Sequence, residues 1–213
     1  MAENDGTPQE EFWTGDFGDQ YSERNVGSEI LASNLSFFAN IFRHTPKINS
    51  VIEFGANIGL NLLALKLLYP AQAQSAIEIN ESAAKRLHDS MPSVRVFNTA
   101  ISNFEPSATA FGSCDLALIK GVLIHINPDQ LNMVYRKLHQ SSHKYILICE
   151  YYNPTPDVVK YRGHADRLFR RDFAGEMLNQ FDDLTLADYG FAYHRDPSFP
   201  QDDITWFLLE MAD

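Results

Sequence analysis

Residues 51–61, with the sequence VIEFGANIGLN, constrain the fold more than any other stretch of the chain. The first two residues end an apolar run that is typical of a buried strand, and Glu53 adds a carboxylate at its carboxyl end. Gly55 and Gly59 predict a tight turn, because glycine adopts backbone conformations that a Cβ forbids. Residues 61–68 then show a helical pattern. A strand, a glycine turn and a helix form half of a βαβ unit, and ligands bind at such turns in open α/β sheets.

The spacing of polar residues indicates the ligand. The G-x-G-x-x-G pattern of dinucleotide-binding folds is incomplete, because Asn57 and Leu60 replace two of its glycines. The Gly-Lys-Ser/Thr ending of a phosphate loop is also missing. Glu53 disfavours an anion and favours a cationic amino acid moiety. Glu78, near the end of a predicted strand at 74–80, is placed to accept both hydroxyls of a ribose.

The spacing Glu53-x-Gly55-x-Asn57-x-Gly59 resembles motif I of the class I S-adenosylmethionine (SAM)-dependent methyltransferases. This resemblance implies an α/β Rossmann-like fold, with helices on both faces of a seven-stranded, mostly parallel sheet that ends in an antiparallel hairpin. It also implies SAM as the cofactor and S-adenosylhomocysteine as the product. The cofactor-binding residues that follow are Glu53, Gly55, Asn57, Gly59, Glu78, Ile79, Ala100, Ile101 and Lys120. No metal site is predicted.

Periodicity and turn residues predict the remaining elements. Strands are expected at 93–98, 114–120, 143–150, 184–195 and 203–211, and helices at 28–42, 81–90 and 172–180. Ser28 and Asn80 are candidate N-caps, and Asn127 with Pro128 predicts the start of another helix. The last two strands are separated by a short proline-containing turn, which predicts the terminal hairpin.

Composition limits the partners and the location. At 213 residues the chain is predicted to be a single domain, with residues 1–10 disordered. Cys114 and Cys149 lie in apolar runs and are expected to be reduced core residues. The absence of a membrane-length apolar run and of a signal peptide predicts a cytoplasmic protein without a membrane partner. A formal charge of −11 disfavours nucleic acid and favours a small substrate. We expect a monomer or a homodimer.

Residues 11–45 are predicted to form an N-terminal arm followed by a helix. The first half of this segment is rich in aromatic residues but lacks a clear period. One interpretation is an arm that packs its aromatic rings on the core. The other is a lid over the ligand, in which Tyr21 or Arg24 contacts the cofactor carboxylate or the substrate.

The segment after the fourth predicted strand contains Lys120 and His125. It resembles the class I methyltransferase motif that passes the reactive methyl group. His125 lies between two isoleucines, so it is either a buried histidine with satisfied hydrogen bonds or a general base.

A predicted substrate-side insert at 151–171 reverses the charge of the chain locally. Residues 160–171 contain five basic residues and one acid, and four of the five are arginines. One interpretation is a solvated face that pairs with nearby acids; the other is an anion-binding segment, because arginine favours bidentate capture of carboxylate or phosphate. If the insert is helical, His164 and Arg167 share a face. The candidate substrate-binding residues are Tyr151, Tyr152, Arg162, His164, Arg167 and Arg170.

Three stretches resemble a narrower family, the pseudaminic acid biosynthesis-associated methylases. They are residues 12–25 (FWTGDFGDQYSERN), residues 53–59 (EFGANIG) and residues 161–175 (YRGHADRLFRRDFAG). The resemblance implies an acidic sugar, or its nucleotide-linked form, as the small anionic substrate.

The sequence therefore predicts an enzyme that transfers a methyl group from SAM to an oxygen or nitrogen of a small anionic metabolite. His125, His164 and Tyr151 are the candidate catalytic residues. A different carboxylate- or phosphate-bearing acceptor, a nicotinamide oxidoreductase and a non-catalytic nucleotide-binding protein are the alternatives.

Overall fold

The computed structural model describes residues 6–24, 26–108, 112–161 and 164–212, except for the side chains at 108, 160–161 and 164–167. The helices are α1 Pro8–Thr14, α2 Asp16–Arg24, α3 Ser28–Phe42, α4 Leu60–Leu68, α5 Glu81–Ser90, α6 Leu131–Ser141 and α7 Phe173–Gln180. The strands are β1 Ser50–Phe54, β2 Ala73–Glu78, β3 Arg95–Asn98, β4 Cys114–Lys120, β5 Ser142–Glu150, β6 Asp157–Tyr161, β7 His164–Arg170, β8 Leu184–Ala192 and β9 Ile204–Met211. Short 3-10 turns occur at Ile101–Asn103, Pro106–Ala108, Leu123–His125 and Pro128–Gln130.

Seven strands form one sheet in the order β3-β2-β1-β4-β5-β9-β8. The five strands from β3 to β5 in this order are parallel, and β9 pairs antiparallel with both β5 and β8. The predicted mostly parallel sheet with an antiparallel C-terminal hairpin is confirmed. The direction of chain progression reverses between β1 and β4, and ligands bind at the carboxyl ends of strands beside such a reversal.

Alternate residues of the central strands enter two separate hydrophobic clusters. Val51, Leu116 and Leu147 pack with α3, α4 and α5 on one face. Ile52 and Ala117 pack with α6 and α7 on the other. A parallel sheet that is covered on both faces requires near-continuous apolar strands, which is why the sequence shows runs instead of alternation. In the described part of the chain, none of the helices combines the length and apolar character that a membrane crossing requires.

The N-terminal segment differs from its prediction, because it forms the two helices α1 and α2. Helix α1 begins at Pro8, inside the stretch expected to be disordered, and Thr7 and Glu10 form a capping box at its start. Two helices of fewer than ten residues are too short to show a clear period in the sequence. The predicted cap of α3 is also wrong, since Gly27 occupies that position and Ser28 is the first helical residue.

The insert after β5 is a β-hairpin and not a helix. Strands β6 and β7 pair antiparallel, and we call this pair the arginine hairpin. Val159, Leu168 and Phe169 supply apolar and aromatic residues with high strand propensity, and Leu168 is part of the core. His164 and Arg167 therefore do not share a helical face.

Candidate functional site

A cavity of about 730 Å³ opens at the carboxyl ends of the central strands. Its walls come from α1 to α3, the turn after β1, the segments after β2, β3 and β4, and the connection between β8 and β9. The predicted site residues that line it are Tyr21, Gly55, Asn57, Glu78, Ile79, Ile101, Lys120 and His125. The predicted residues that do not line it are Glu53, Gly59, Ala100, Arg24, Tyr151, Tyr152 and Arg170.

In the turn after β1, every second residue from 55 to 59 has a positive φ. Gly55, Asn57 and Gly59 have φ values of 75°, 49° and 83°. Asparagine is one of the few non-glycine residues that adopts this region readily, so Asn57 can replace a glycine here. The backbone N–H groups of Gly55 and Ala56 donate to the carbonyl oxygen of Ile77 at 2.8 and 3.0 Å. These bonds fix the turn to the end of β2.

The two glycines make room for side chains of the protein itself. A Cβ on Gly55 would lie 2.6 Å from Cγ2 of Val122, and one on Gly59 would lie 2.9 Å from Cγ of Leu87. The glycines therefore bring the turn after β1 against the segment after β4 and against α5.

Glu78 joins the turn after β1 to the end of β2. Its Oε2 accepts a hydrogen bond from the N–H of Asn57 at 2.6 Å, and its Oε1 accepts from the N–H of Asn80 at 2.8 Å. Burial raises the pKa of Glu78, and the backbone hydrogen bonds counteract that effect. Each carboxylate oxygen has about two lone-pair sites, so acceptor capacity remains for a ribose hydroxyl.

Glu53 lies behind the cavity wall. Its side chain is completely buried, and its Oε1 accepts from Nδ2 of Asn61 at 2.6 Å. Burial raises the pKa of Glu53 to about 8, while the Asn61 hydrogen bond and the charge of Lys120 act in the opposite direction. Among the described residues, neither Oε2 of Glu53 nor Oδ1 of Asn61 has a hydrogen-bond partner, and both atoms are buried. Asn61 lines the cavity and Glu53 is bonded to it from behind, so this pair keeps unused hydrogen-bonding capacity next to the cavity.

Lys120 is the last residue of β4, and His125 is the last residue of the 3-10 turn that follows it. The Nζ atom of Lys120 is 5.8 Å from the ring centroid of Phe37. The ring of His125 is 4.9 Å from that of Trp13, centroid to centroid, and the histidine is buried. The segment thus brings one cation and one imidazole to the cavity.

The N-terminal arm forms part of the cavity wall and is held there by polar contacts. Ser22 Oγ donates to Oδ1 of Asn57 at 2.6 Å, and Ser102 Oγ donates to Oε1 of Glu10 at 2.6 Å. Tyr21 lines the cavity, as the lid interpretation requires. Arg24 is exposed, and its guanidinium lies 5.8 Å from the ring centroid of Phe17.

The arginine hairpin packs against the 3-10 turn Leu123–His125 (the post-β4 turn) through β7. Arg170 forms an ion pair with Asp157, and Arg171 pairs with Glu176 at 2.8 Å. For these two arginines, the structure agrees with the interpretation that the basic residues pair with nearby acids. Arg162 lies outside the described residues, and so do the side chains of His164 and Arg167.

The two tyrosines after β5 contact parts of the protein other than the cavity wall. Tyr151 packs against both hydrophobic clusters. Tyr152 is exposed, and its ring lies 5.8 Å from that of Phe207.

Several cavity residues were not predicted from the sequence. Asn61 and Trp13 line the cavity, as does the segment that contains Gln201. Gln201 Nε2 donates to Oδ1 of Asn34 at 3.1 Å, which ties the β8–β9 connection to α3. Only Asn61 had a local signal, because it lies in the first turn of the helix that follows the glycine turn.

Neither a family model nor a curated protein matches this sequence. Solved structures do match over nearly the whole chain. The Rossmann-like fold is that of class I methyltransferases. A SAM-dependent methyltransferase from Leishmania major has 14% identity to this chain and a TM-score of 0.70. The match covers 95% of this chain and 81% of the Leishmania chain. Magnesium protoporphyrin IX methyltransferase from Synechocystis, with bound SAM, has 9% identity and a TM-score of 0.67. The match covers 98% of this chain and 100% of the Synechocystis chain.

A third structure similar to this chain contains both cofactor product and substrate. It is the 1,6-didemethyltoxoflavin N1-methyltransferase from Burkholderia thailandensis, solved with 1,6-didemethyltoxoflavin and S-adenosylhomocysteine. Identity is 16% and the TM-score is 0.68, over 96% of this chain and 87% of that one. At such identities the likeness establishes the fold.

Proposed function

We propose that this protein is a SAM-dependent methyltransferase that acts on a small molecule. The observation that carries the proposal is the cavity of about 730 Å³ between the turn after β1 and the end of β2, a size typical of small-molecule sites. Glu78 is exposed to this cavity where a ribose would lie. The free acceptors of Glu53 and Asn61 suit an ammonium group, and Lys120 suits a carboxylate. The solved methyltransferases with SAM or S-adenosylhomocysteine add support.

The roles of the residues follow from their positions. When bound, SAM supplies an electrophilic methyl group. Lys120 and the Glu53–Asn61 pair orient the amino acid end of the cofactor, and Glu78 orients the ribose. Alignment of the acceptor with the methyl group is the main catalytic contribution. For a hydroxyl acceptor, His125 takes the proton as a general base; a carboxylate acceptor needs none.

Binding and turnover test this proposal in two steps. Calorimetry should show binding of SAM and S-adenosylhomocysteine, and no comparable binding of NAD. Mass spectrometry of a metabolite mixture incubated with protein and SAM should then reveal an acceptor that gains one CH₂ in mass. Preferential binding of NAD would support the oxidoreductase alternative, and SAM binding without turnover of any acceptor would support a non-catalytic protein.

Glu78→Ala should weaken SAM binding by on the order of 1.5–3 kcal/mol for each ribose hydrogen bond lost, because these bonds involve a charged acceptor. Glu78→Gln is the comparison variant: it keeps one acceptor oxygen, and therefore one of the two backbone hydrogen bonds, and should bind SAM with intermediate affinity. Calorimetric titration with SAM checks both variants. Unchanged affinity in Glu78→Ala would remove this residue from the site.

The finer proposal is that the acceptor is anionic, for example an acidic sugar or its nucleotide-linked form. Its support is the arginine hairpin, which packs against the post-β4 turn beside the cavity. Against it, Arg170 and Arg171 already have acidic partners, and the cavity wall includes the carboxylates of Glu29 and Asp202. Another small carboxylate- or phosphate-bearing acceptor would use the same contacts.

Arg167→Ala should weaken binding of an anionic acceptor by roughly 2–5 kcal/mol if the ion pair is desolvated. Arg162→Ala should have a similar effect, while SAM affinity stays the same. Arg170→Ala is the control, because Arg170 pairs with Asp157 within the hairpin. Titrations with SAM and with an acidic-sugar acceptor measure both affinities. Loss of SAM affinity alone would contradict the assignment, and no change in either would make the hairpin an ordinary solvated surface.

A further inference from the structure

The strongest remaining feature is a buried carboxylate at the end of β5 that the proposed reaction does not use. Glu150 is 3% exposed. Its Oε1 accepts hydrogen bonds from the N–H groups of Val122 and Leu123, both at 2.9 Å. A buried carboxylate needs such donors, because burying a charged group without hydrogen bonds is costly. These two bonds tie the segment after β4 to the end of β5.

The post-β4 turn needs this contact because its own sequence does not provide a cap. Val122 occupies the N-cap position, and its side chain makes no capping hydrogen bond. The free N–H groups at the start of a helical turn require an acceptor. Glu150 supplies it from β5, more than 25 residues later in the chain.

Both ends of the held segment reach the candidate site. Val122 packs against the position where Gly55 lacks a Cβ, in the turn after β1. His125 ends the turn, and its ring contacts Trp13 of the arm. The carboxylate of Glu150 therefore holds a segment that contacts both the turn after β1 and the N-terminal arm.

We propose that Glu150 is a positioning residue, which fixes the post-β4 turn and thereby sets the place of His125 in the cavity. The proposal deepens the methyltransferase function proposed above, and its consequences for the free protein do not depend on that function.

The groups that face Glu150 are Lys120 from β4, Tyr135 from α6 and Arg171, which lines the same small crevice. Burial raises the pKa of Glu150 to about 7, and the backbone donors of the turn and the charge of Lys120 oppose that rise.

Amide hydrogen exchange of residues 121–126 tests the contact in the free protein. In Glu150→Ala, exchange of this segment should become at least about tenfold faster, since each lost bond to a charged acceptor is worth a factor of this order. Glu150→Gln should restore slow exchange, because it keeps the acceptor oxygen. Tyr135→Phe is the matched control: it removes the hydrogen bond from the Tyr135 hydroxyl to Glu176 at 2.7 Å, which does not involve the backbone of the turn.

Trp13 fluorescence reports whether His125 moves. In a Trp206→Phe background Trp13 is the only tryptophan, and its emission is sensitive to the ring packed on it. Glu150→Ala should change this emission, whereas Glu150→Gln and Tyr135→Phe should not. If Tyr135→Phe accelerates exchange at 121–126 or changes the emission as much as Glu150→Ala, the contact is only part of general stability and the proposal is overturned. Slow exchange and unchanged emission in Glu150→Ala overturn it as well, whether or not the protein binds SAM.

Discussion

Glu53→Gln is expected to make the protein more stable above neutral pH. Raising the pKa of a fully buried carboxyl from 4.5 to about 8 corresponds to about 5 kcal/mol, since each pH unit is worth about 1.4 kcal/mol. Between these two pH values the unfolded chain has lost the proton and the folded chain keeps it. The contribution of Glu53 to the stability of the natural protein therefore falls as pH rises from 4.5 to 8, and glutamine removes this contribution.

Chemical denaturation of both proteins between pH 5 and pH 9 measures the effect. The difference in unfolding free energy between Glu53→Gln and the natural protein should grow with pH and level off above about pH 8. Glu81→Gln, at an exposed position of α5, is the control and should leave the pH profile unchanged. Parallel profiles for the natural protein and Glu53→Gln would contradict the prediction.

The same variant should bind SAM more weakly. An ionised Glu53 offers the cofactor ammonium a charged acceptor, and losing it should reduce affinity by about ten- to a hundredfold. If Glu53→Gln raises stability and weakens SAM binding, the carboxylate of Glu53 contributes to function at a cost in stability. Calorimetric titration at pH 8.5 separates the two effects. Weaker binding together with lower stability would instead indicate a distorted fold.

Gly55→Ala should cost about 2–5 kcal/mol of unfolding free energy. A non-glycine residue at a φ of 75° loses about 1–2 kcal/mol, and a Cβ at 2.6 Å from Val122 adds about 1–3 kcal/mol of overpacking. The variant should also displace the segment after β4 from the turn after β1. Weaker SAM binding is therefore expected in addition to the lower stability.

Gly121→Ala separates the two causes. Gly121 has a similar φ of 67°, but an added Cβ there would meet no atom within 4 Å. Its cost should be limited to the backbone conformation, about 1–2 kcal/mol. Thermal or chemical denaturation of both variants gives the comparison. Equal losses would show that the contact with Val122 contributes nothing.

The sequence by itself determined the main elements of the sheet. Strand β4 and helix α5 have the predicted bounds, Cys114–Lys120 and Glu81–Ser90. Strand β4 is buried on both faces along residues 116–119, which form an unbroken apolar run. Helix α5 has the Asn80 cap before it and Pro92 soon after it. Signals of this kind are local, and local residues are sufficient to specify them.

Only the tertiary structure decided how the site is assembled. Glu53 is separated from the cavity by Asn61, Arg170 is occupied by Asp157, and Glu150 holds a turn more than 25 residues away in the chain. The insert formed a hairpin because Leu168 could enter the core, which periodicity within the insert does not reveal. Each of these features depends on the packing of residues that are distant in sequence. Spacing identifies the residue types at a site, but only the folded chain determines which of them face the cavity.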